Sequence, residues 1–292
     1  MNRGVHPQVR QSWFLWAGTI ALFYFLASFQ AVSQVKNAAQ TSDFGSTLRR
    51  AQTAKLPADI RSLSSGASVL SRFVLGFNPP TGLRSWAIAG LVRHAYGVQA
   101  FEADLIEEDD PEAARQLRAE AVSALRLARE AGWQRLETMA LHQAPKADED
   151  VGLVFWTAAA WGALLGLDRN DLDLLADWPK AKALAMWVLR HQPDYGDGAA
   201  LVLGASFELT SPGGDKALAR QWLQSVLERH GSKQAMLHVM VAEQLDLEAG
   251  NRDAFVSRLQ LALQVADAHP GFENRLAATK AGWLLSRIDS LF

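Results

Sequence analysis

The chain has 292 residues and a formal net charge of -2; hydrophobic residues make up 49% of it and charged residues 21%. This balance is typical of a globular protein, and the sequence lacks the basic stripe that marks a nucleic-acid-binding protein. The chain contains no cysteine, which excludes disulfide bonds, thiolate catalysis and cysteine-ligated zinc.

Residues 11–35 form the first predicted element, a run of 25 residues without a charged side chain. A helix rises about 1.5 Å per residue, so this run is long enough to cross a bilayer core of about 30 Å. Arg3 and Arg10 precede the run, and Lys36 follows it. By the positive-inside rule, this arrangement predicts a single transmembrane helix whose N-terminal side faces the cytoplasm.

The predicted organisation of the chain follows from this helix. Residues 1–10 are expected to be cytoplasmic, residues 11–32 to anchor the chain in the inner membrane, and residues 33–59 to form a polar connector. Residues 60–292 are then a helical domain in the periplasm. Two other interpretations of the apolar run stay open. It is alternatively a signal peptide with a small-residue cleavage site at Ala31-Val32-Ser33, or a buried core helix.

Beyond residue 60 the sequence is punctuated like a series of helices, and strand signals are scarce. Asp110-Pro111 combines an N-cap residue with a proline in the first turn, and the helix that it begins is predicted to stop at Gly132. Trp178-Pro179 begins another helix, and Asp215 is placed to cap a helix after a Gly-Gly turn. The sequence therefore predicts an all-α domain.

The predicted helices come in pairs that match a degenerate tetratricopeptide pattern, in which a large and a small residue mark each first helix. Such pairs begin at Trp161-Gly162, Leu203-Gly204 and Val241-Ala242. Gly162 and Gly204 are 42 positions apart, and Gly204 and Ala242 are 38 apart, which exceeds the ideal repeat of about 34 residues. The pattern predicts a helical-repeat stack with insertions in its loops.

Residues 273–292 are predicted to form an amphipathic helix that caps the open end of this stack. Its apolar stripe consists of Leu276, Trp283, Leu284, Ile288 and Leu291. We expect three basic side chains to lie off that stripe: Arg275, Lys280 and Arg287. The stripe would be exposed to water unless it covered the last repeat, so the helix is expected to pack onto that repeat.

Four residues on or beside the first helices of successive repeats are the candidates for a functional cleft: Trp156, Trp161, Tyr195 and His238. Core packing is the alternative explanation of each. The helix at residues 152–167, which carries two of the tryptophans, is apolar on all sides, so we expect it to be buried in a core or an oligomer interface. The sequence holds no recognisable catalytic, phosphate-binding or zinc motif, so we expect no catalytic residue, cofactor or metal.

Three stretches carry a resemblance to a known family. The pattern Asn-x-Leu-Ala-x-x-x-Ala-x-Trp-Leu-Leu, followed by an acidic residue and a terminal phenylalanine, is met by Asn274, Leu276, Ala277, Ala281, Trp283, Leu284, Leu285, Asp289 and Phe292. An aromatic-Trp-x-Ala-Ala-x-Trp-Gly pattern is met by Phe155, Trp156, Ala158, Ala159, Trp161 and Gly162. An Asp-x-Tyr-x-x-Gly turn is matched by Asp194 and Tyr195 but is one residue shorter here. On these residues, residues 60–292 resemble the TRAP transporter T-component family, the TatT proteins.

The resemblance implies an all-α, tetratricopeptide-like periplasmic protein that is not an enzyme, can form a homotrimer and has a hydrophobic cleft or pore. It implies as partner the solute-binding P-component of a tripartite ATP-independent transporter. Family members are lipoproteins anchored through an N-terminal cysteine, which this chain lacks, so we expect residues 11–32 to replace the lipid. The expected function is docking of the P-component, with room for an apolar ligand. A general periplasmic scaffold of a different inner-membrane complex is the alternative.

Overall fold

The computed structural model describes residues 56–139 and 148–292. Within these two ranges every regular element is a helix and there is no strand, which confirms the predicted all-α class. The predicted anchor at residues 11–32 and nearly all of the predicted connector at residues 33–59 lie outside the described residues. The described residues divide into two compact units, residues 56–230 and residues 231–292.

The first unit consists of helices joined by short turns, with one π-helical turn continuing the second helix. Its described elements are α1 (Ala58–Leu75), α2 (Thr81–Val92), the π-helical turn Arg93–Gln99, α3 (Ala100–Ile106), α4 (Pro111–Leu136), α5 (Asp148–Leu167), α6 (Leu172–Ala176), α7 (Trp178–His191), α8 (Tyr195–Thr210) and α9 (Lys216–His230). The wider π turn accommodates one extra residue per turn, a feature often found at functional sites.

Helix α5 is the centre of the first unit. Helices α2, α4 and α7 pack around it, and its residues from Val151 to Leu165 are all buried. Among the described helices, α5 alone is long and apolar enough to cross a membrane, but most of its apolar stretch is covered by these neighbours. The expectation of a helix buried on all sides is therefore confirmed, and its place is in the core of this unit.

Two predicted helix starts are confirmed by side-chain caps. The Asp110 carboxylate accepts a hydrogen bond from the backbone N–H of Ala113 at 3.0 Å, with Pro111 in the first turn of α4. Asp215 accepts in the same way from the N–H of Leu218 at 2.9 Å, at the start of α9. Such caps satisfy N–H groups that have no partner inside the helix, so short sequence signals suffice to locate them.

The predicted helix stop at Gly132 is wrong. Helix α4 continues through Gly132 to Leu136. A Cβ atom at Gly132 would collide with the Oγ1 atom of Thr157 on α5, so the glycine lets the two helices approach closely instead of ending one of them. Thr157 is fully buried there, and its hydroxyl donates to the backbone carbonyl of Leu153 at 2.7 Å. A glycine that permits close packing has the same sequence signal as a C-terminal glycine.

The second unit consists of four helices and a second π-helical turn. Its elements are α10 (Ala235–Val241), the π-helical turn Ala242–Asp246, α11 (Arg252–Ala268), α12 (Phe272–Ser286) and α13 (Ile288–Leu291). Helix α12 packs on both α10 and α11. The predicted closing helix is therefore present, but it breaks at Arg287 into two pieces.

The prediction that Lys280 lies off the buried face of this closing helix is wrong. The side chain is buried and forms an ion pair with Glu243 of the π-helical turn, with an Nζ–Oε2 distance of 2.9 Å. Leu276 and Leu284 are buried as predicted, whereas Trp283 is only partly buried under the guanidinium of Arg287. Helical periodicity alone assigns a lysine to the surface, because it cannot show that an acidic residue from a distant turn pairs with the lysine in the core.

The predicted repeats correspond to three packed helix pairs: α5 with α7, α8 with α9, and α10 with α11. The short helix α6 lies between α5 and α7, which accounts for the length of the first repeat. Helix α7 runs from Trp178 to His191, as the sequence predicts. Pairing of successive helices is necessary for a tetratricopeptide-like stack but does not define one, so that arrangement stays a prediction.

Candidate functional site

Two of the four predicted cleft residues meet in the first unit. Trp156 lies on α5, and Tyr195 lies at the start of α8, where the indole N–H of Trp156 donates a hydrogen bond to the Tyr195 hydroxyl. The ring of Phe155 is in contact with both, with centroid distances of 5.0 Å to Trp156 and 4.9 Å to Tyr195. The Phe155–Trp156 contact is edge-on, a geometry that stabilises aromatic pairs beyond the area that they bury.

An arginine completes this group. The guanidinium of Arg93, the first residue of the π-helical turn Arg93–Gln99, lies 4.6 Å from the ring centroid of Trp156. A cation over an indole face is attracted by the electron density of the ring. Arg93 is partly buried, whereas Trp156 beneath it is 4% exposed. We call Arg93, Phe155, Trp156 and Tyr195 the aromatic–arginine cluster.

The Tyr195 hydroxyl faces a glycine on α5. A Cβ atom at Gly152 would lie 3.0 Å from the Oγ atom of Ser85 and 3.2 Å from the Oη atom of Tyr195. The absence of a side chain at Gly152 therefore lets hydroxyls from α2 and α8 approach the backbone of α5. Burial raises the pKa of Tyr195 above its usual value of 10, while the Arg93 charge and the Trp156 hydrogen bond oppose the rise. The phenol is consequently neutral at neutral pH.

A left-handed turn holds Tyr195 in place. The three residues that follow it have positive φ angles: Gly196 at 57°, Asp197 at 54° and Gly198 at 95°. Asp197 is unusual there, because a residue with a Cβ atom seldom adopts this conformation. A Cβ atom at Gly198 would approach Val226 of α9 to 3.0 Å. Strained turns of this kind persist where the surrounding packing fixes them, and they cluster at functional sites.

Trp161 lies elsewhere in the same unit. It follows Trp156 by five residues on α5 and so projects from a different side of the helix. Its ring packs edge-on against Trp133 with a centroid distance of 5.2 Å, and the Arg129 guanidinium lies 5.4 Å from it. Trp161 is 2% exposed. The structure therefore gives Trp156 and Trp161 two separate arginine partners.

His238 belongs to the second unit, where it is buried within α10. Its Nε2 atom lies 2.9 Å from the carbonyl oxygen of Gly231, so Nε2 carries the proton and donates. Its Nδ1 atom has no hydrogen-bond partner among the described residues. Burial and the nearby charge of Arg258 lower the pKa of His238, while the Gly231 carbonyl opposes this, so the ring is neutral at neutral pH.

Two ion pairs of the second unit involve its π-helical turn. Glu243 pairs with Lys280, and both side chains are 3% exposed. Asp246, one turn further, pairs with Arg258 of α11 at 2.5 Å. A buried ion pair is tolerated only where each charge is matched, so the turn sets the register of α11 and α12 against it.

The signature residue Asn274 has a structural role in the same unit. Its Oδ1 atom accepts a hydrogen bond from the backbone N–H of Ala235 at 2.9 Å, which caps the start of α10. Its Nδ2 atom donates to the carbonyl oxygens of Lys233 and His269, both at 2.8 Å. One amide therefore ties α12 to the segments before α10 and after α11.

Sequence reasoning missed Arg93, Arg129, Glu243 and Lys280. A charged residue inside an apolar helical stretch could have indicated a buried, paired charge, as in the "GLVRHAYG" segment that contains Arg93. Within residues 56–139 and 148–292, no group of three or more histidines and acidic residues could hold a metal ion. The aromatic–arginine cluster offers apolar ring faces, one cation and one neutral hydroxyl, which is a set of groups for binding and not for proton transfer.

A family model described as TRAP transporter T-component matches residues 91–292. This range contains the aromatic–arginine cluster, the left-handed turn after Tyr195, Asn274 and both π-helical turns, whereas α1 precedes it. No curated protein matches the chain.

Proposed function

Because the chain belongs to the TRAP transporter T-component family, whose members are accessory transporter subunits, we propose that it docks the solute-binding P-component in the periplasm. It is a non-enzymatic protein in this proposal. A transmembrane helix at residues 11–32 anchors it in the inner membrane, and residues 60–292 form a tetratricopeptide-like body that assembles as a homotrimer. A helical-repeat body provides an extended concave surface for such a partner.

The aromatic–arginine cluster is the observation that carries the proposal of an apolar ligand. Within the matched region, the rings of Phe155, Trp156 and Tyr195 lie together, and the Arg93 guanidinium lies over the Trp156 ring. Ligand sites combine apolar walls with a few convergent polar groups, which is the composition of this cluster. Arg93 is only partly buried, and in this proposal displacement of its side chain admits the ligand to the Trp156 ring. The proposed cleft therefore comprises Trp156 and Tyr195, without Trp161 and His238.

The protonation states of the buried groups support a role without catalysis. Burial shifts the pKa values of Tyr195, His94 and His238 toward their neutral forms, and that of His94 falls to about 4. A catalytic acid or base works best when its pKa lies near the operating pH. These shifts are instead those of groups packed in a helical core.

The docking proposal is tested by titrating the P-component from the same genome into the full-length chain in lipid nanodiscs, by calorimetry, with and without its solute. We expect saturable binding whose affinity depends on the solute. An affinity pull-down from native membranes should recover the same P-component. If no binding occurs at high micromolar concentration and the pull-down returns only unrelated membrane proteins, docking fails and the general-scaffold alternative replaces it.

The ligand proposal is tested separately with an environment-sensitive apolar dye. Arg93→Gln removes the cation over Trp156, and Arg129→Gln is its matched control, because Arg129 covers Trp161 in the same way outside the cluster. A cation–π contact contributes about 0.5–2 kcal/mol, so we expect Arg93→Gln to change dye affinity by about 2- to 30-fold. Equal effects of the two variants would contradict a cleft at the cluster.

A further inference from the structure

Helix α1 has its polar and apolar residues reversed relative to an ordinary surface helix. Three of its four buried residues are serines: Ser64, Ser68 and Ser71. Most of its large apolar residues are exposed instead, although Ile60 is buried. We call Leu63, Val69, Leu70, Phe73 and the adjacent Phe77 the α1 apolar face; these side chains are between 50% and 70% exposed.

The serine face is well suited to pack against protein. The hydroxyl of Ser71 donates to the carbonyl of Ala67 at 2.8 Å, and that of Ser64 to the carbonyl of Arg61 at 3.1 Å. Both hydroxyl donors are thus satisfied within the helix. A Cβ atom at Gly90 of α2 would collide with the Ser71 Oγ atom, so small residues on both helices permit a close approach. The orientation that leaves the apolar side outward is therefore fixed by packing.

The α1 apolar face is large for an exposed surface. Of the ten large apolar side chains that are exposed in the described ranges, five belong to it. The rings of Phe73 and Phe77 meet edge-on with a centroid distance of 4.8 Å, so the face is continuous at its C-terminal end. Contiguous apolar patches on a protein surface mark sites of contact with a protein or a membrane.

The position of α1 in the chain favours a membrane. The uncharged run at residues 11–35 ends 20 residues before Leu56, where the described structure begins. If residues 11–32 cross the bilayer as proposed above, 23 residues separate that helix from Leu56, and such a chain spans at most about 80 Å in any conformation. The proposed anchor therefore keeps α1 within reach of the bilayer surface, and this part of the argument rests on that anchor.

The charge of the chain before and within α1 also favours a bilayer with anionic lipids. Between residues 36 and 77 the chain has six basic and two acidic residues: Lys36, Arg49, Arg50, Lys55, Arg61, Arg72, Asp43 and Asp59. Arg61 pairs with Glu102, yet five basic against two acidic residues still remain, a surplus of three positive charges. Apolar residues flanked by positive charge bind anionic membrane surfaces. A second copy would present the same positive charge and be repelled.

We propose that the α1 apolar face lies on the phospholipid bilayer, with Phe73 and Phe77 inserted about 5–10 Å into the boundary between headgroups and acyl chains. The periplasmic body then contacts the membrane at two points, the anchor and α1. This second contact fixes the orientation of the first unit relative to the bilayer, which a single flexible attachment would leave free.

The absence of cysteine from the chain allows a direct test. Single cysteines are introduced as Val69→Cys and Phe73→Cys, with Leu172→Cys as the matched control, because Leu172 is likewise an exposed apolar residue of the same unit. Each full-length variant is labelled with an environment-sensitive fluorophore and reconstituted into liposomes that contain anionic phospholipid. We expect lipid-borne nitroxides to quench the probes at positions 69 and 73, and only aqueous iodide to quench the probe at position 172.

The other outcomes each have a defined meaning. Probes at positions 69 and 73 that respond to iodide alone overturn the proposal, because the face is then exposed to water. Probes shielded from both quenchers also overturn it, because another protein surface, a second copy or residues 1–55 then cover the face. Carbonate extraction of the chain tests the anchor independently. A chain that resists extraction but has aqueous probes refutes only the α1 contact, whereas an extractable chain with lipid-quenched probes refutes only the anchor.

Discussion

Replacement of Lys280 by methionine should destabilise the second unit strongly. The methionine is close to lysine in length and apolar, so it fits the buried path of the lysine stem but leaves Glu243 without its cation. Loss of one member of a buried ion pair costs about 3–5 kcal/mol, because the remaining charge is poorly solvated. Residues 231–292 form a unit of 62 residues, and at about 4–8 °C per kcal/mol for a unit of this size its melting temperature should fall by about 12–40 °C.

The double variant separates pairing from packing. In Lys280→Met with Glu243→Met, both charges are gone, and replacement of a whole buried pair by apolar residues is often neutral or stabilising. We therefore expect the double variant to recover most of the loss. The matched control is Arg252→Ala, which breaks the exposed pair of Arg252 with Asp289 in the same unit and should change the free energy of unfolding by at most about 1 kcal/mol.

The assay can follow this unit alone. Trp283 is the only tryptophan in residues 231–292, so a fluorotryptophan-labelled chain gives one fluorine NMR resonance from the second unit, assigned with Trp283→Phe. Loss of the folded-state resonance of Trp283 on heating reports unfolding of the second unit. A Lys280→Met variant that melts like the parent would refute the burial of the pair. A double variant no more stable than the single one would show that packing, not charge, causes the loss.

Three further predictions concern single positions. Gly198→Ala should lower the free energy of unfolding, measured by urea denaturation, by about 1–3 kcal/mol, because the φ angle of Gly198 is +95°. Gly66→Ala, in open space within α1, should raise it by about 0.5–1 kcal/mol, and equal effects of the two variants would contradict the strained turn. Burial, and then the charge of Arg72, lower the pKa of His94 to about 4, so the unfolded chain binds a proton at this histidine more readily than the folded chain does. The melting temperature should therefore fall as the pH drops from 6.5 toward 4, and His94→Gln should make that fall smaller. Trp161→Ala should cost about 3–5 kcal/mol, and Trp283→Ala should cost less because Trp283 is only partly buried; the reverse order would refute the assigned burial.

Local signals in the sequence located the helix starts. The caps at Asp110 and Asp215 depend on residues within three positions of each other, so they are visible in the sequence. The end of α4 was not visible in the sequence, because a glycine such as Gly132 can either end a helix or permit close contact with another helix. The contact with Thr157 on α5 shows that Gly132 does the second. Helix starts are thus more predictable than helix ends here because their partners are nearer in the chain.

The candidate site was predictable only in part. The apolar segment that carries Trp156 and Trp161 was recognisable from composition, but the arginine over each ring comes from another helix, 63 positions away for Arg93 and 32 for Arg129. Residue type did not reveal that Lys280 is buried, because burial of a lysine depends on an acid at a distance. Contacts between distant residues therefore account for what the sequence alone did not show.

The three hydrogen bonds of the Asn274 amide limit how this fold can be shortened during evolution. In an idealised repeat array, a terminal repeat can be lost and the rest retained, because each repeat contacts only its neighbours. Here a residue of α12 caps the start of α10, and the same amide holds the carbonyl of His269 after α11. Truncation before Asn274 would leave the first helix of this unit without its cap. The second unit is therefore indivisible, and lineages that vary the length of this protein should gain or lose residues outside residues 231–292.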